Sequence, residues 1–334
     1  MAGRSRELHN VFLDSSNSLE KYYLKHMEHI PAKYIVTGGA GFIGSHVVDA
    51  LVARGDEVHV VDIFLGGRRD RLNPKALLHE VDIRDFDKLA PIFKGAAGVF
   101  HLAAQPRMQY SIQEPRLTND INITGTLNVL LAARDAGIKR VVYSASSSAY
   151  GTNHPMPLRE DMEAMPVIPY AIQKRVGEQY CQMVSRFYGL ETVAIRYFNV
   201  YGPRQTTAKD GPYATVIGIF LEQAKNKQPM TVVPDGELRR DFTHVYDTAR
   251  ANLLAMESSK VGKGEIINIG TGTNYSVLQV AGMIGGEWKF IEPRLGETRE
   301  TLADISKAKE LLGWEPKVKF EEGMAELKKI TGLL

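Results

Sequence analysis

The stretch Val36-Thr37-Gly38-Gly39-Ala40-Gly41-Phe42-Ile43-Gly44 constrains the fold more than any other part of this 334-residue chain. It closes a short β-branched run and opens a segment with apolar residues at helical spacing, so it reads as the turn from a strand into a helix. Glycine at Gly38, Gly41 and Gly44 lets the backbone turn tightly and approach a diphosphate. The charge of that group is then met by the N–H groups and the positive dipole end of the helix. Asp62 and Ile63 follow the next β-branched run, Val60-Val61. A carboxylate at that place accepts both hydroxyls of a ribose and repels a 2′-phosphate, which predicts NAD in preference to NADP.

From Tyr34 onward, short apolar runs alternate with helix-length segments, the signature of parallel βαβ units. Strands are expected at Tyr34–Val36, Glu57–Val61, Gly98–His101, Arg140–Ser144 and Glu191–Arg196, with crossover helices at Gly44–Arg54, Asp120–Ala136 and Tyr170–Tyr188. The fold class is therefore α/β: a Rossmann-type doubly wound parallel sheet with a smaller α/β C-terminal substrate lobe. The texture changes after Pro203, with a polar loop over Thr206–Pro212, a helix expected over Ala214–Lys227 and then Pro229–Asp241. A strand at Gly264–Ile269 and a helix at Ser306–Leu312 are assigned to this lobe. Residues 31–202 are read as the NAD-binding half, with the chain returning to it around residues 241–256, and residues 203–334 mainly as the substrate lobe. Residues 1–30 are polar, lack the apolar stretch of a secretory signal and are read as an N-terminal extension. The pair His26-Met27 suggests that the segment before Met27 is a cloning remnant.

Hydrophobic content of 44% and charged content of 24% are those of an ordinary globular protein, and the formal net charge is +2. That balance gives no argument for a nucleic-acid or membrane surface, so an anionic ligand must be held by local groups. No apolar run reaches the roughly 18 residues of a membrane span. The only cysteine, Cys181, has no internal disulfide partner. A reducing, cytoplasmic setting is expected, with no metal.

Ligands of open α/β sheets gather at the carboxyl ends of the strands. There, Leu102, Ala103 and Ala104 are small enough to leave room for cofactor ribose and diphosphate, and His101 reads as a packed histidine rather than a catalyst. Asp82 and Ile83 stand where they can meet an adenine, although Asp82 reads almost equally well as a solvated loop acid. Tyr170 and Lys174 lie one helical turn apart on one face. A lysine cation and an oxidised nicotinamide ring would both draw the phenol pKa down from about 10, making the tyrosine a base. The run from Ser144 to Gly151 ends a strand, and a hydroxyl there can hydrogen-bond a substrate alcohol; taken alone it also reads as a polar loop.

In combination, TGGAGFIG, HLAA, SASSSAYG, YAIQK, RYFNVYGP and RRDFTHVYD resemble the extended short-chain dehydrogenase/reductase family, and within it the nucleotide-sugar 4-epimerases acting on UDP-glucose and UDP-N-acetylglucosamine. The resemblance runs from about Tyr34 to the end. It implies Ser146 as the partner of Tyr170, Lys174 as a ligand of the nicotinamide ribose, and Asn122 near the nicotinamide. The implied reaction is transient oxidation at C4 by a tightly bound NAD that is regenerated within each turnover. It further implies Arg240, Arg294 and Asn199 at the substrate diphosphate, each arginine alone reading as a surface charge. Tyr213, Val216 and Val232 would surround the sugar or uracil, and Ser147 and Ser148 would line the sugar site. Those serines stand where dehydratases and decarboxylases of the family carry carboxylic acids. Thr301, small, leaves room for an acetamido group at C2. The carboxylate-binding arginine of uronate epimerases would fall near Thr206, and a threonine cannot neutralise a carboxylate. A non-catalytic NAD-sensing regulator is disfavoured because Ser146, Tyr170 and Lys174 are all present. A homodimer through the helices at 120–136 and 170–188 is also implied.

Overall fold

The computed structural model describes residues 30–207, 214–292 and 298–334. The expectations placed on residues 1–29, Tyr213 and Arg294 lie outside the described residues. Seven strands form the central sheet: β1 (Lys33–Thr37), β2 (Glu57–Val61), β3 (Leu77–His79), β4 (Gly98–His101), β5 (Arg140–Ser146), β6 (Glu191–Tyr197) and β7 (Lys263–Ile269). Their spatial order is β7-β6-β5-β4-β1-β2-β3, and every pairing is parallel. The order in which successive strands are added thus reverses between β1 and β4, and a crevice opens at that switch point.

A parallel sheet is covered on both faces, and successive residues of its strands supply opposite sides. Tyr34 and Val36 of β1 enter one core, with Val47, Val48, Ala50 and Leu51 of helix α1 (Phe42–Ala53). Ile35, between them, enters the other, with Val129, Leu130 and Ala133 of α2 (Gly125–Asp135) and Cys181 and Val184 of α3 (Pro169–Tyr188). Beyond the sheet, α4 (Val216–Lys225), α6 (Val277–Ile284) and α8 (Phe320–Thr331) close a third core around Ile217, Phe220, Val280 and Met324. This is the lobe, facing the carboxyl ends of the strands.

The lobe is smaller than the sequence suggested. The strand expected at Gly264–Ile269 is β7, paired in register with β6, so it extends the main sheet. Helix α7 (Ser306–Leu312), expected in the lobe, packs on the same sheet, with Ala308, Leu312 and Trp314 in the first core beside Ala251 of α5 (Val245–Glu257), the stretch read as returning to the NAD-binding half. Periodicity marks a strand or a helix but says nothing of which layer buries it. The helix expected over 120–136 is continuous, but its first turn is a π turn at Asp120–Thr124 that leads into α2.

Candidate active site

A single cavity of about 610 Å³ lies along the carboxyl edge of the sheet and runs under the lobe. At one end stands the glycine turn. Gly38 has φ of 71°, and a Cβ on it would meet the Ala103 amide nitrogen at 2.6 Å. A Cβ on Gly44 would lie 2.1 Å from the Gly38 carbonyl oxygen. The turn therefore requires glycine at both places and leaves bare backbone facing the cavity. Asp62 clamps it: its Oδ2 accepts from the Ala40 N–H at 3.0 Å and its Oδ1 from the Phe64 N–H at 2.7 Å. Burial raises the Asp62 pKa, and these backbone donors pull the other way.

Phe42, Ile43, Ile63, Asp82, Ile83, Leu102, Ala103 and Ala104 all line this end, as expected. Asp82 is not a solvated acid. Arg84 chelates its carboxylate through Nε at 3.1 Å to both oxygens and Nη2 at 2.7 Å. Burial opposes ionisation there, but the guanidinium prevails and the pKa falls. Gly66 and Gly67, in the lining just beyond Asp62, went unread although a Gly-Gly pair after a strand is a turn signal. His101 is the packed histidine expected, held between Thr37 Oγ1 at 2.7 Å and Thr126 Oγ1 at 2.9 Å. Burial first, and then the charge of Lys174, lowers its pKa to about 3.

Asn122 stands apart from the lining residues and is almost fully buried. Its Nδ2 donates to the Gln105 carbonyl at 3.1 Å and to Gln173 Oε1 at 2.8 Å, while its Oδ1 accepts from the Gln105 N–H at 2.7 Å. Asn122, within the π turn, thus holds the loop after β4 through Gln105.

At the centre of the cavity, β5 runs out to Ser146, whose Oγ accepts from the Ser148 N–H at 3.2 Å and lies 2.9 Å from the Ser148 hydroxyl. Pro169 opens α3 at a position where its missing N–H costs nothing. Tyr170 follows, its backbone N–H on Ser111 Oγ at 3.1 Å, and its phenol lines the cavity together with Ser146, whose hydroxyl lowers the phenol pKa. Lys174, one turn on, is 3% exposed and donates from Nζ to the Ser144 carbonyl at 2.7 Å, with Nζ 5.0 Å from the centre of the Tyr143 ring. The tuning of this pair differs from the sequence expectation. Burial raises the Tyr170 phenol above 10, and what draws it back down is the Ser146 bond and then the charge of Arg107. Lys174 is itself lowered to about 7 by burial.

The sugar end joins separate segments. Asn199, Val216, Arg240 and Thr301 line it together with Ser147 and Ser148. The Thr301 hydroxyl accepts from Asn199 Nδ2 at 3.1 Å and from the Asp241 N–H at 3.2 Å, tying the loop after β6 to the strand Arg239–Asp241. Val232 does not belong here. It is fully buried in the lobe core, and its neighbours Thr231 and Val233 line the cavity, because adjacent residues of a strand face opposite sides.

A second correction concerns Thr206, where a cation was expected to be lacking. Arg107, from the loop after β4, donates from Nη2 to Thr206 Oγ1 at 2.7 Å and lines the same wall. No local pattern links residues so far apart in the chain, and the arginine was missed.

Comparison with known proteins settles the family. A model of the NAD dependent epimerase/dehydratase family matches residues 34–270. The chain belongs to that family. Among solved structures, the UDP-glucose 4-epimerase of Thermotoga maritima with UDP-glucose is 40% identical, with a TM-score of 0.86, over 90% of this chain and 99% of that one. The UDP-N-acetylglucosamine 4-epimerase of Methanobrevibacter ruminantium M1, in complex with UDP-N-acetylmuramic acid, is 36% identical with a TM-score of 0.85, covering 92% and 100%. The UDP-glucuronic acid 4-epimerase of Bacillus cereus, in complex with UDP-glucuronic acid and NAD, is 31% identical with a TM-score of 0.82, covering 90% and 100%. The resemblance read from the motifs, the Rossmann-type fold and NAD as the cofactor of an epimerase all stand. The glycine turn and the Asp62 carboxylate fit the diphosphate and the ribose hydroxyls of that cofactor.

Among the described residues, no helix is long and apolar enough to cross a membrane, and no cluster of side chains is arranged to hold a metal ion.

Proposed function

We propose that this epimerase interconverts C4 epimers of UDP-sugars, UDP-glucose with UDP-galactose and UDP-N-acetylglucosamine with UDP-N-acetylgalactosamine, through a transient 4-keto sugar. The observation that carries the reading is that Tyr170, Ser146 and Lys174 line the wall of one cavity whose far end is the glycine turn. NAD, when bound, supplies a two-electron acceptor and a positive ring charge beside that phenol. The protein's own part is proton handling and placement. Tyr170 takes the C4 hydroxyl proton and later returns it. Ser146 orients the alcohol and lends the phenol a hydrogen bond. Lys174 is pinned on Ser144 at the strand end, where the cofactor ribose is expected. Ser147 and Ser148 offer hydroxyls and no acid, which favours epimerisation over loss of water or carbon dioxide.

Arg240 is the described cation best placed for the substrate diphosphate, lining the lobe side of the cavity, and the fork of a guanidinium suits phosphate oxygens. Thr301 supports acceptance of the acetamido sugar, being small and in the lining. A homodimer through α2 and α3 accords with the exposure of Ile172, Phe187 and Tyr188 on α3. The test is to incubate the purified protein with UDP-glucose and with UDP-N-acetylglucosamine, adding no cofactor, and to follow C4 epimers by NMR. Both should form. Tyr170→Phe should abolish turnover and keep NAD bound, whereas substantial residual turnover would remove Tyr170 from its role.

A further inference from the structure

We propose that Asp241, which never reaches the cavity, is the positioning residue of its sugar-side wall and sets where Asn199, Arg240 and Thr301 stand for the substrate. The inference rests on the reading of the cavity as a UDP-sugar site and concerns what holds that site in shape. Asp241 is wholly buried and lies outside the lining, yet all three lining residues are joined to it directly. Its backbone N–H donates to Thr301 Oγ1 at 3.2 Å, and its carbonyl accepts from Asn199 Nδ2 at 3.3 Å. Arg240 precedes it on the strand Arg239–Asp241. Adjacent residues of a strand face opposite sides, so turning Asp241 into the protein is what directs Arg240 to the cavity.

The carboxylate fixes that arrangement. Its Oδ1 accepts from the Thr271 N–H and the Thr271 hydroxyl, both at 2.7 Å, and its Oδ2 from the Gly272 N–H and the Ala303 N–H, both at 3.0 Å. A carboxylate offers about four acceptor sites, and these donors fill them. They come from the loop after β7 and from the segment that carries Thr301, so one side chain gathers two loops beside its own strand. The packing leaves no slack: a Cβ on Gly270 would lie 2.8 Å from Asp241 Oδ2 and 2.4 Å from the Ala303 Cβ. Asn199 adds strain at the same junction. Its φ of 23° lies where a residue with a Cβ seldom rests, and such a conformation persists when its surroundings over-determine it. The bonds from Asn199 Nδ2 to the Asp241 carbonyl and to Thr301 Oγ1 supply that constraint. A buried polar network whose members are paired specifies one arrangement. Here its cavity side is the wall where a diphosphate and a sugar are expected.

The experiment compares the holoenzyme with Asp241→Asn, Thr271→Val and Thr271→Ser, measuring kcat and KM for UDP-glucose, the calorimetric affinity for UDP, and NAD retention. Asparagine has the shape of aspartate but turns an NH2 group toward one pair of donors, so at least one N–H loses its acceptor. KM for UDP-glucose should rise about tenfold and UDP binding weaken by a similar factor, with NAD retained and kcat within about threefold of wild type. Removing a negative charge near a diphosphate would by itself tighten UDP, so weakening marks geometry; tightening would overturn the proposal. Thr271→Val takes one donor from the carboxylate and should move both readings in the same direction by less, while Thr271→Ser, which keeps the hydroxyl, should match wild type. Loss of NAD in step with UDP would show a merely structural role and would also overturn it. If Asp241→Asn does not fold, the contrast between Thr271→Val and Thr271→Ser decides alone. Wild-type turnover of UDP-glucose with KM and UDP affinity unchanged in the variants would overturn this inference and leave the UDP-sugar reading intact; a wild type that neither binds UDP nor turns over UDP-glucose would overturn both.

Discussion

The cofactor end and the sugar end of the cavity are built by different means. At the cofactor end one continuous turn from Gly38 to Gly44 presents bare backbone to the cavity and is clamped by Asp62. At the sugar end it is side chains drawn from separate segments, with Arg107, Thr206, Arg240 and Thr301 contributed by four stretches of the chain. A backbone site recognises a diphosphate common to every substrate cycle and tolerates no added carbon. A side-chain site can change its selectivity one residue at a time. The same fold can therefore keep its cofactor while its sugar varies, which agrees with relatives of closely similar fold that differ in the sugar named for them.

The comparison can be broken at the helix the two ends share. Helix α3 carries Tyr170 and Lys174, and is fastened to the sheet by Glu178, whose carboxylate takes Arg196 Nε at 2.7 Å and Nη2 at 2.8 Å with both side chains almost wholly buried. Arg175 adds a further bond to Glu178 at 2.9 Å. Glu178→Gln leaves Arg196 buried without its counter-charge and should cost about 3–5 kcal/mol in urea unfolding. NAD retention and epimerase activity should fall together; loss of one alone would show that the ends do not depend on a common support.

A smaller effect is expected at the glycine turn itself. Gly44→Ala forces a methyl group into the space of the Gly38 carbonyl and should cost about 1–3 kcal/mol, with NAD lost on gel filtration. A variant that keeps NAD would refute the claim that the turn requires glycine at this place.

An effect that depends on pH belongs to Lys174, between the two ends. Burial lowers its pKa from 10.5 to about 7, so between those values the unfolded chain binds a proton that the folded chain does not. Stability then rises with pH across that window, by at most about 1.4 kcal/mol per pH unit from this group. Lys174→Met removes the contribution, so the stability of wild type relative to the variant should increase from pH 7 to pH 9 in denaturant titrations. A constant difference would place a charged lysine in the folded protein.

What could be read in advance divides along the same line. Asp62, Tyr170 and Lys174 were legible because each sits at a short, fixed spacing from a motif on its own strand or helix. The strand Leu77–His79 was not, since three residues at the sheet edge carry no periodicity. Val232 was placed on the wrong face because a displacement of one residue inverts a strand, and neither Thr231 nor Val233 announces which way it points. The π turn that carries Asn122 was not legible either, because it shifts the helical phase without leaving a mark in composition.

The sequence by itself determined the strand-to-helix turn, the carboxylate that clamps it and the tyrosine-lysine spacing, because these rest on backbone geometry within a few residues. Tertiary structure alone decided that β7 joins the main sheet and that Arg107 reaches Thr206 across the cavity. Those contacts join residues distant along the chain, and they exist only because burying both faces of one sheet brings their segments to a common edge.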